Sequence, residues 1–342
     1  MVKERLRFSA GCPPPVKGVR ALPAIGQGAS GTIAGEIAED VKIRRTIAWE
    51  AAARGLALGP VELWREMGGG RANRVWRTEA AGRGVIVKHV REHRASSLFP
   101  NEAAVEAGVL AHLGPAGLAP KLLASWRGEA GPVLVMAAVP GKPLSRGERA
   151  IKAAAATLSR LWRQKPLPDL RRRTGGSEEI LAEAHGFLAA WARVAPAEGL
   201  RRIALERLAP PGSLPPSPRL AFLHGDPVPA NMIASPRRGS SRGVVLIDWQ
   251  CAAAGDPVED VALFLSPAMQ RLYGDGPLSR AEEARFLAAL PEDVSRRYGR
   301  AAPFHAFRMA AYCGWRAALG ETDYEAGLRL EQSRLAALSG RT

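Results

Sequence analysis

His224-Gly225-Asp226-Pro227-Val228-Pro229-Ala230-Asn231, followed after a gap by Leu246-Ile247-Asp248-Trp249, is the stretch whose reading decides the fold. Leu220-Ala221-Phe222-Leu223 leads into the first loop as a short apolar strand. Met232-Ile233 and Val244-Val245-Leu246-Ile247 read as a hairpin across a Ser/Arg/Gly turn, which brings Asp248 back toward that loop. Phosphoryl transfer asks for a carboxylate near the attacking hydroxyl, hard oxygen ligands for a divalent cation, and a cation on the phosphates. Asp226 can be the carboxylate. Asn231, five residues on, can offer its amide oxygen, and Asp248 a charged oxygen; both suit Mg2+.

Upstream, the chain reads as a β-rich segment. Val61-Glu62-Leu63-Trp64 precedes Gly68-Gly69-Gly70, and Arg74-Val75-Trp76-Arg77-Thr78 then alternates. A turn at Gly82-Arg83-Gly84 leads to Val85-Ile86-Val87-Lys88. We expect three antiparallel strands here, with a fourth at Val133-Leu134-Val135-Met136. A glycine turn between strands lets backbone N–H groups approach phosphates, so Gly68, Gly69, Gly70 and the nearby Asn73 are candidate nucleotide contacts. Residues 101–113 have helical spacing with Asn101 as N-cap. After Pro140-Gly141 helices dominate: 147–163, 177–193, 199–208 and most of 257–338. Residues 1–45, with Pro13-Pro14-Pro15, read as a poorly organised tail, and 46–58 as a short helix.

The loop with His224-Gly225-Asp226 and Asn231 resembles the HGDxxxxN catalytic loop of the aminoglycoside phosphotransferase and choline kinase superfamily. Ile247-Asp248-Trp249 is similar to that family's metal-binding motif, and Gly255-Asp256-Pro257 with Asp260 to its GDPxxD segment. The resemblance spans about residues 60 to 335 and implies an α+β, protein-kinase-like bilobal fold. A small β-rich N-lobe (46–139) precedes a larger, mainly helical C-lobe (140–342). It implies Asp226 as catalytic base, Lys88 as phosphate-binding lysine, and a helix acid paired with it. Glu102 and Glu106 share one helical face; counting back from Gly117-Leu118-Ala119-Pro120 favours Glu106. Adenine would lie on the hinge closing the strand at Val133 to Pro140, with Met136 lining the pocket and Ala137 to Val139 offering backbone groups. His224 would orient the loop, and Asp256 and Asp260 would buttress it.

The expected activity is therefore transfer of the γ-phosphate of ATP, with Mg2+, to a hydroxyl of a small molecule. A second reading is a pseudokinase-like nucleotide-binding or scaffold protein. Lys88, Asp226, Asn231 and Asp248 are all present, whereas a dead kinase usually lacks one. Trp249, Tyr312, Trp315, Tyr324, Glu321 and Asp323 could wall an acceptor pocket for an ammonium-bearing molecule, an amino alcohol, thiamine-like compound or aminosugar. The favoured reading is that they are helix-packing aromatics and solvated acids. Gly26-Gln27-Gly28-Ala29-Ser30-Gly31 followed by Lys42 imitates a phosphate loop, but Glu50 follows too soon.

Composition narrows the partners. The net charge is +15, yet 40 of the 48 basic residues are Arg, a bias that also follows from a GC-rich genome. No basic run is interleaved with aromatics, and Arg171-Arg172-Arg173 is short. We expect a small-molecule partner and neither nucleic acid nor membrane: no apolar run approaches the roughly 18–20 residues a membrane helix needs. Cys12, Cys251 and Cys313 form no metal spacing and no disulfide framework, which suits a reducing cytoplasm.

Overall fold

A computed structural model describes residues 33–68, 72–235 and 243–338. The chain divides into two compact units, Met1–Lys42 and Ile43–Thr342. Helix α1 (Ile33–Ala53) begins inside the stretch expected to be a loose tail. The phosphate-loop imitation at 26–31 lies outside the described residues.

In the second unit a five-stranded antiparallel sheet comes first, in the order β1-β2-β3-β5-β4. Its strands are β1 (Arg65–Glu66), β2 (Arg74–Ala80), β3 (Arg83–His89), β4 (Leu122–Gly128) and β5 (Gly131–Ala137). Val61–Leu63, expected as a strand, is a single 3-10 turn; Pro60 before it fixes φ, and pairing starts only at Arg65. Strand β4 was not foreseen. Its side chains alternate between partly buried and exposed, with no apolar run.

Period-two alternation gives β3 two faces. Val85 and Val87 join Trp64, Trp76, Val133 and Val135 in one apolar cluster. Ile86 and Lys88 point the other way, toward α2 (Ala103–Leu113). That helix buries Ala103, Glu106, Val109, Leu110 and Leu113, an i, i+3, i+4 stripe with a carboxylate in it. Glu102, not Asn101, holds the N-cap position, and it makes no side-chain cap bond.

The rest is mainly helical: α3 (Glu148–Leu161), α4 (Ser177–Val194), α5 (Gly199–Glu206), α6 (Val258–Leu265), α7 (Pro267–Tyr273), α8 (Arg280–Ala288), α9 (Glu292–Ala318) and α10 (Asp323–Leu338). The architecture is thus mixed α+β, with a β-sheet N-terminal and a helical C-terminal region. Two small sheets carry the loops of interest. One is β10-β9-β6, from β6 (Lys142–Pro143), β9 (Met232–Ala234) and β10 (Val244–Leu246); the other is β7-β11-β8, from β7 (Arg172–Arg173), β8 (Ala221–Leu223) and β11 (Ala253–Gly255). The expected hairpin is β9–β10, with Leu246 opposite Met232. Residues 236–242 of its turn lie outside the described residues.

Two arginines of the basic triplet serve the fold. Arg171 donates to the carbonyls of Ser97 and Leu98, and buried Arg173 pairs with Glu183 and Glu259. Glu259 also pairs with Arg308 of α9 at 2.7 Å, tying β7, α4, α6 and α9 together. Among the described residues no helix is long and apolar enough to cross a membrane.

Candidate active site

Strand β8 releases the chain into His224, and the loop that follows is held from three sides. The Asp260 carboxylate accepts the backbone N–H of Gly225 at 2.9 Å and of His224 at 3.1 Å. His224 Nδ1 accepts the Asp226 N–H at 3.2 Å, and its Nε2 donates to the Ile247 carbonyl at 3.0 Å. Those roles require the neutral Nε2–H tautomer, and burial brings the imidazole down to about 4. Gly225 has φ +79°, and a Cβ there would meet the Cys251 carbonyl oxygen at 2.1 Å, so only glycine fits.

Asp226 and Asn231 lie side by side. Asn231 Nδ2 donates to the Asp226 carbonyl at 3.0 Å and to Asp226 Oδ2 at 3.2 Å. Asp226 Oδ1 is buried and has no hydrogen-bond partner among the described residues. Burial, then the Asp248 charge, pushes this carboxyl up to about 8, against the pull of Asn231. The Ile247 N–H donates to the Asn231 carbonyl at 2.9 Å, so the two loops are stitched together just before Asp248. Asp248 itself has φ +67°, a left-handed conformation that Asp tolerates better than most residues.

Lys88 joins the sheet to these loops. Its Nζ reaches Glu106 Oε2 at 2.5 Å and also bonds Asp248 Oδ1. Burial lowers the lysine, but Asp248 and Glu106 outweigh it and hold the ammonium charged, well above the ordinary lysine range. Glu106 also accepts the Trp249 N–H at 3.4 Å. Of the two acids weighed from sequence, Glu106 is the one paired; Glu102 is exposed at the helix start.

Gln250 escaped sequence reasoning. It is buried, and its Oε1 accepts from Lys88 Nζ at 3.1 Å and from Asn73 Nδ2 at 2.6 Å. Asn73 was expected among the nucleotide contacts. It is buried: Nδ2 donates to Gln250 and Asn101, and Oδ1 accepts from Asn101 Nδ2 and the Arg91 N–H. Its donors and acceptor are used within the fold. The same bonds draw Asn101 away from capping α2. The only sequence signal for Gln250 was its place two residues after Asp248.

The remaining candidates fall as follows. Gly68 borders the turn in open space, and Gly69 and Gly70 lie outside the described residues. Met136 is in β5, buried in the large core cluster with Met232 and Leu246. Val139 follows β5, half-buried. Of the expected hinge groups, the N–H of Ala137 goes to Lys121 and that of Ala138 to Gly84, which leaves Val139 as the candidate backbone donor. Trp249 is fully buried against His224 and Phe222, so it packs under the loop and does not wall a pocket. Tyr312, Trp315 and Tyr324 do cluster, but around the guanidinium of Arg316, which also pairs with Glu321.

A β-sheet region feeding a buried lysine onto a helix acid, above a helical region carrying two loop carboxylates, defines a kinase-like phosphotransferase fold. The chain matches the phosphotransferase enzyme family over residues 64–304 and belongs to it. Spectinomycin phosphotransferase, solved with ADP and spectinomycin, superposes with a TM-score of 0.55 at 8% identity, over 87% of this chain and 98% of that one. The choline kinase LicA from Streptococcus pneumoniae gives 0.54 at 16%, over 84% and 98%. A choline kinase from Cryptosporidium parvum gives 0.52 at 10%, over 90% and 98%. At such identities these likenesses concern the fold alone. No curated protein matches the chain significantly.

Proposed function

We propose that the chain transfers the γ-phosphate of ATP to a hydroxyl of a small molecule, with Asp226 as the catalytic base. The observation that carries this is the buried, unpartnered Asp226 Oδ1, set beside Asn231 and tied through His224 to the backbone next to Asp248. In the ionised form, the one a base must have, that oxygen is a buried acceptor without a donor, which is costly, and a substrate hydroxyl would supply that donor. Burial that raises the carboxyl also makes it a stronger base for the proton released as the phosphate is transferred.

The residues present fit Mg2+. Asn231 turns its Nδ2 to Asp226, which leaves Oδ1 to offer, and Asp248, about one-third exposed, gives Lys88 only Oδ1. Among the described residues no three His, Cys, Asp or Glu side chains could hold a metal together. Two oxygen donors match an ion that takes its other ligands from phosphates and water. Bound there, Mg2+ would neutralise charge on the phosphates. Lys88, held by Glu106 and Gln250, would hold a phosphate; the glycine turn at 68–70 would cover the phosphates, and Met136 and Val139 would border the base.

Relatives in fold act on or bind spectinomycin and choline by their names, which puts small polar alcohols first among acceptors to try. The test is ADP release with Mg-ATP across amino alcohols, thiamine, aminosugars, plain sugars and aminoglycosides. An acceptor-dependent signal names the substrate class. ATP binding with no acceptor-dependent signal moves weight to the pseudokinase reading; no ATP binding at all removes the kinase assignment.

A further inference from the structure

Asp260 is fully buried on α6, and among the described residues no cation pairs with it. Three neutral N–H groups hold its carboxylate instead. Oδ1 accepts the Gly225 N–H at 2.9 Å; Oδ2 accepts the His224 N–H at 3.1 Å and the indole N–H of Trp162 at 3.0 Å. A buried carboxylate without a cation depends on such donors to stay ionised. Burial raises Asp260 to about 6, and the bond from Trp162 leads those that pull it back.

Two of the three donors belong to the loop that Asp260 holds. Trp162 is the one that comes from elsewhere in the chain, 98 residues before Asp260. It stands just past α3, partly buried, and packs against the core cluster that contains Phe222 and Trp249. Its own N–H closes α3 on the Leu158 carbonyl at 2.9 Å, so the indole is fixed at the end of a helix. Without the indole N–H, Oδ2 would keep one donor, the His224 amide. A carboxyl that then took up a proton would point a donor of its own at a loop N–H, and the loop would lose an acceptor.

We propose that Trp162 is a positioning residue for the catalytic loop: its indole N–H fixes the Asp260 carboxylate, which fixes the backbone of His224 and Gly225 immediately before Asp226. The consequence for turnover rests on the kinase reading; the path of bonds from α3 to the loop does not.

The experiment compares wild type with Trp162→Phe, which keeps an aromatic ring and removes the N–H. Trp162→Met, with an unbranched side chain that adapts to irregular space, takes its place if the phenylalanine variant fails to fold. Circular dichroism and urea unfolding follow folding and stability. Amide hydrogen exchange is read residue by residue on the full chain without nucleotide. The Leu246 and Ala254 amides, bonded to the carbonyls of Leu118 and Arg171, serve as controls because neither touches Asp260. The expected result is exchange at His224 and Gly225 about tenfold faster than in wild type, with Leu246 and Ala254 changed no more than global stability accounts for. With an acceptor in hand, kcat should fall about tenfold while the KM for ATP stays within about twofold. Wild-type exchange at His224 and Gly225 in the folded variant overturns the proposal, because Asp260 then holds the loop without the indole. Equal acceleration of all four amides overturns it too, because Trp162 then only packs. An unchanged kcat in an active enzyme overturns the positioning role. If no acceptor gives turnover in wild type, the kinase reading is what has failed, and the exchange rates still decide whether Trp162 holds the loop.

Discussion

His224 donates its Nε2–H to the carbonyl of Ile247, 3.0 Å away, and so clips the loop of Asp226 to the loop of Asp248. The second ring nitrogen accepts the Asp226 N–H. The imidazole is therefore used up as a structural link and has no proton to exchange with substrate. His224→Ala should lower kcat about 10²-fold by letting Asp226 drift, with nucleotide affinity little changed. Steady-state kinetics beside nucleotide titration checks this; an equal loss of nucleotide affinity would mean that His224 serves the nucleotide site instead.

Lys88 stands between two carboxylates. Lys88→Met should cost about 3–5 kcal/mol of stability, because Glu106 is left buried without its cation. Adding Glu106→Leu should recover much of that stability and none of the turnover. Urea unfolding of the single and double variants measures both. A Lys88→Met protein as stable as wild type would show that burial of Glu106 is not maintained by this pair.

Gln250 links Lys88 to Asn73, which closely follows the glycine turn in sequence. Gln250→Leu leaves Asn73 Nδ2 and Lys88 each short of an acceptor, in a site where a bond from a charged donor contributes about 1.5–3 kcal/mol. Nucleotide affinity should fall about tenfold, with a smaller change in kcat. Unchanged affinity would mean the glycine turn is positioned without this network.

His305 reports on the ion network that braces α9. Burial, aided by Arg308 and Arg173, brings it down to about 3, below its unfolded value of 6.5. A group whose folded pKa is depressed in this way binds protons in the unfolded chain first. It therefore stabilises the fold above about pH 6.5 and loses that contribution as pH falls from about 6.5 toward 3, by about 1.4 kcal/mol per pH unit. His305→Gln should remove this slope, so wild type and variant converge in stability on acidification. Parallel stability curves for the two across this range would contradict it.

Legibility in the sequence followed the range of the interactions. The loop of His224 to Asn231, the Asp248 hairpin and the Lys88 strand were readable because each is a local pattern closed by a turn. The pairing of Lys88 with Glu106 was readable from helical spacing and a family resemblance. What sequence could not show was set by contacts distant in the chain. Asn73 is bonded by Asn101 and Gln250, the latter 177 residues further on. Arg171-Arg172-Arg173 read only as a short basic cluster; of the two acids that pair with Arg173, Glu183 lies on the next helix and Glu259 is 86 residues away. Of the residues grouped as a possible acceptor wall, Tyr312, Trp315 and Tyr324 gather about Arg316, whereas Trp249 packs against His224 and Phe222. Strands β6, β7 and β11 have two or three residues each, too few for any periodicity to register.

The most direct test of the account is Asp226→Asn, measured for Mg-ATP affinity and for phosphate transfer to whichever acceptor the panel identifies. The side chain keeps its size and loses its basicity. The account predicts nucleotide affinity within a small factor of wild type and turnover reduced by about 10²-fold to 10⁴-fold. Turnover undiminished in Asp226→Asn would contradict it, because the proton of the attacking hydroxyl would then be going elsewhere.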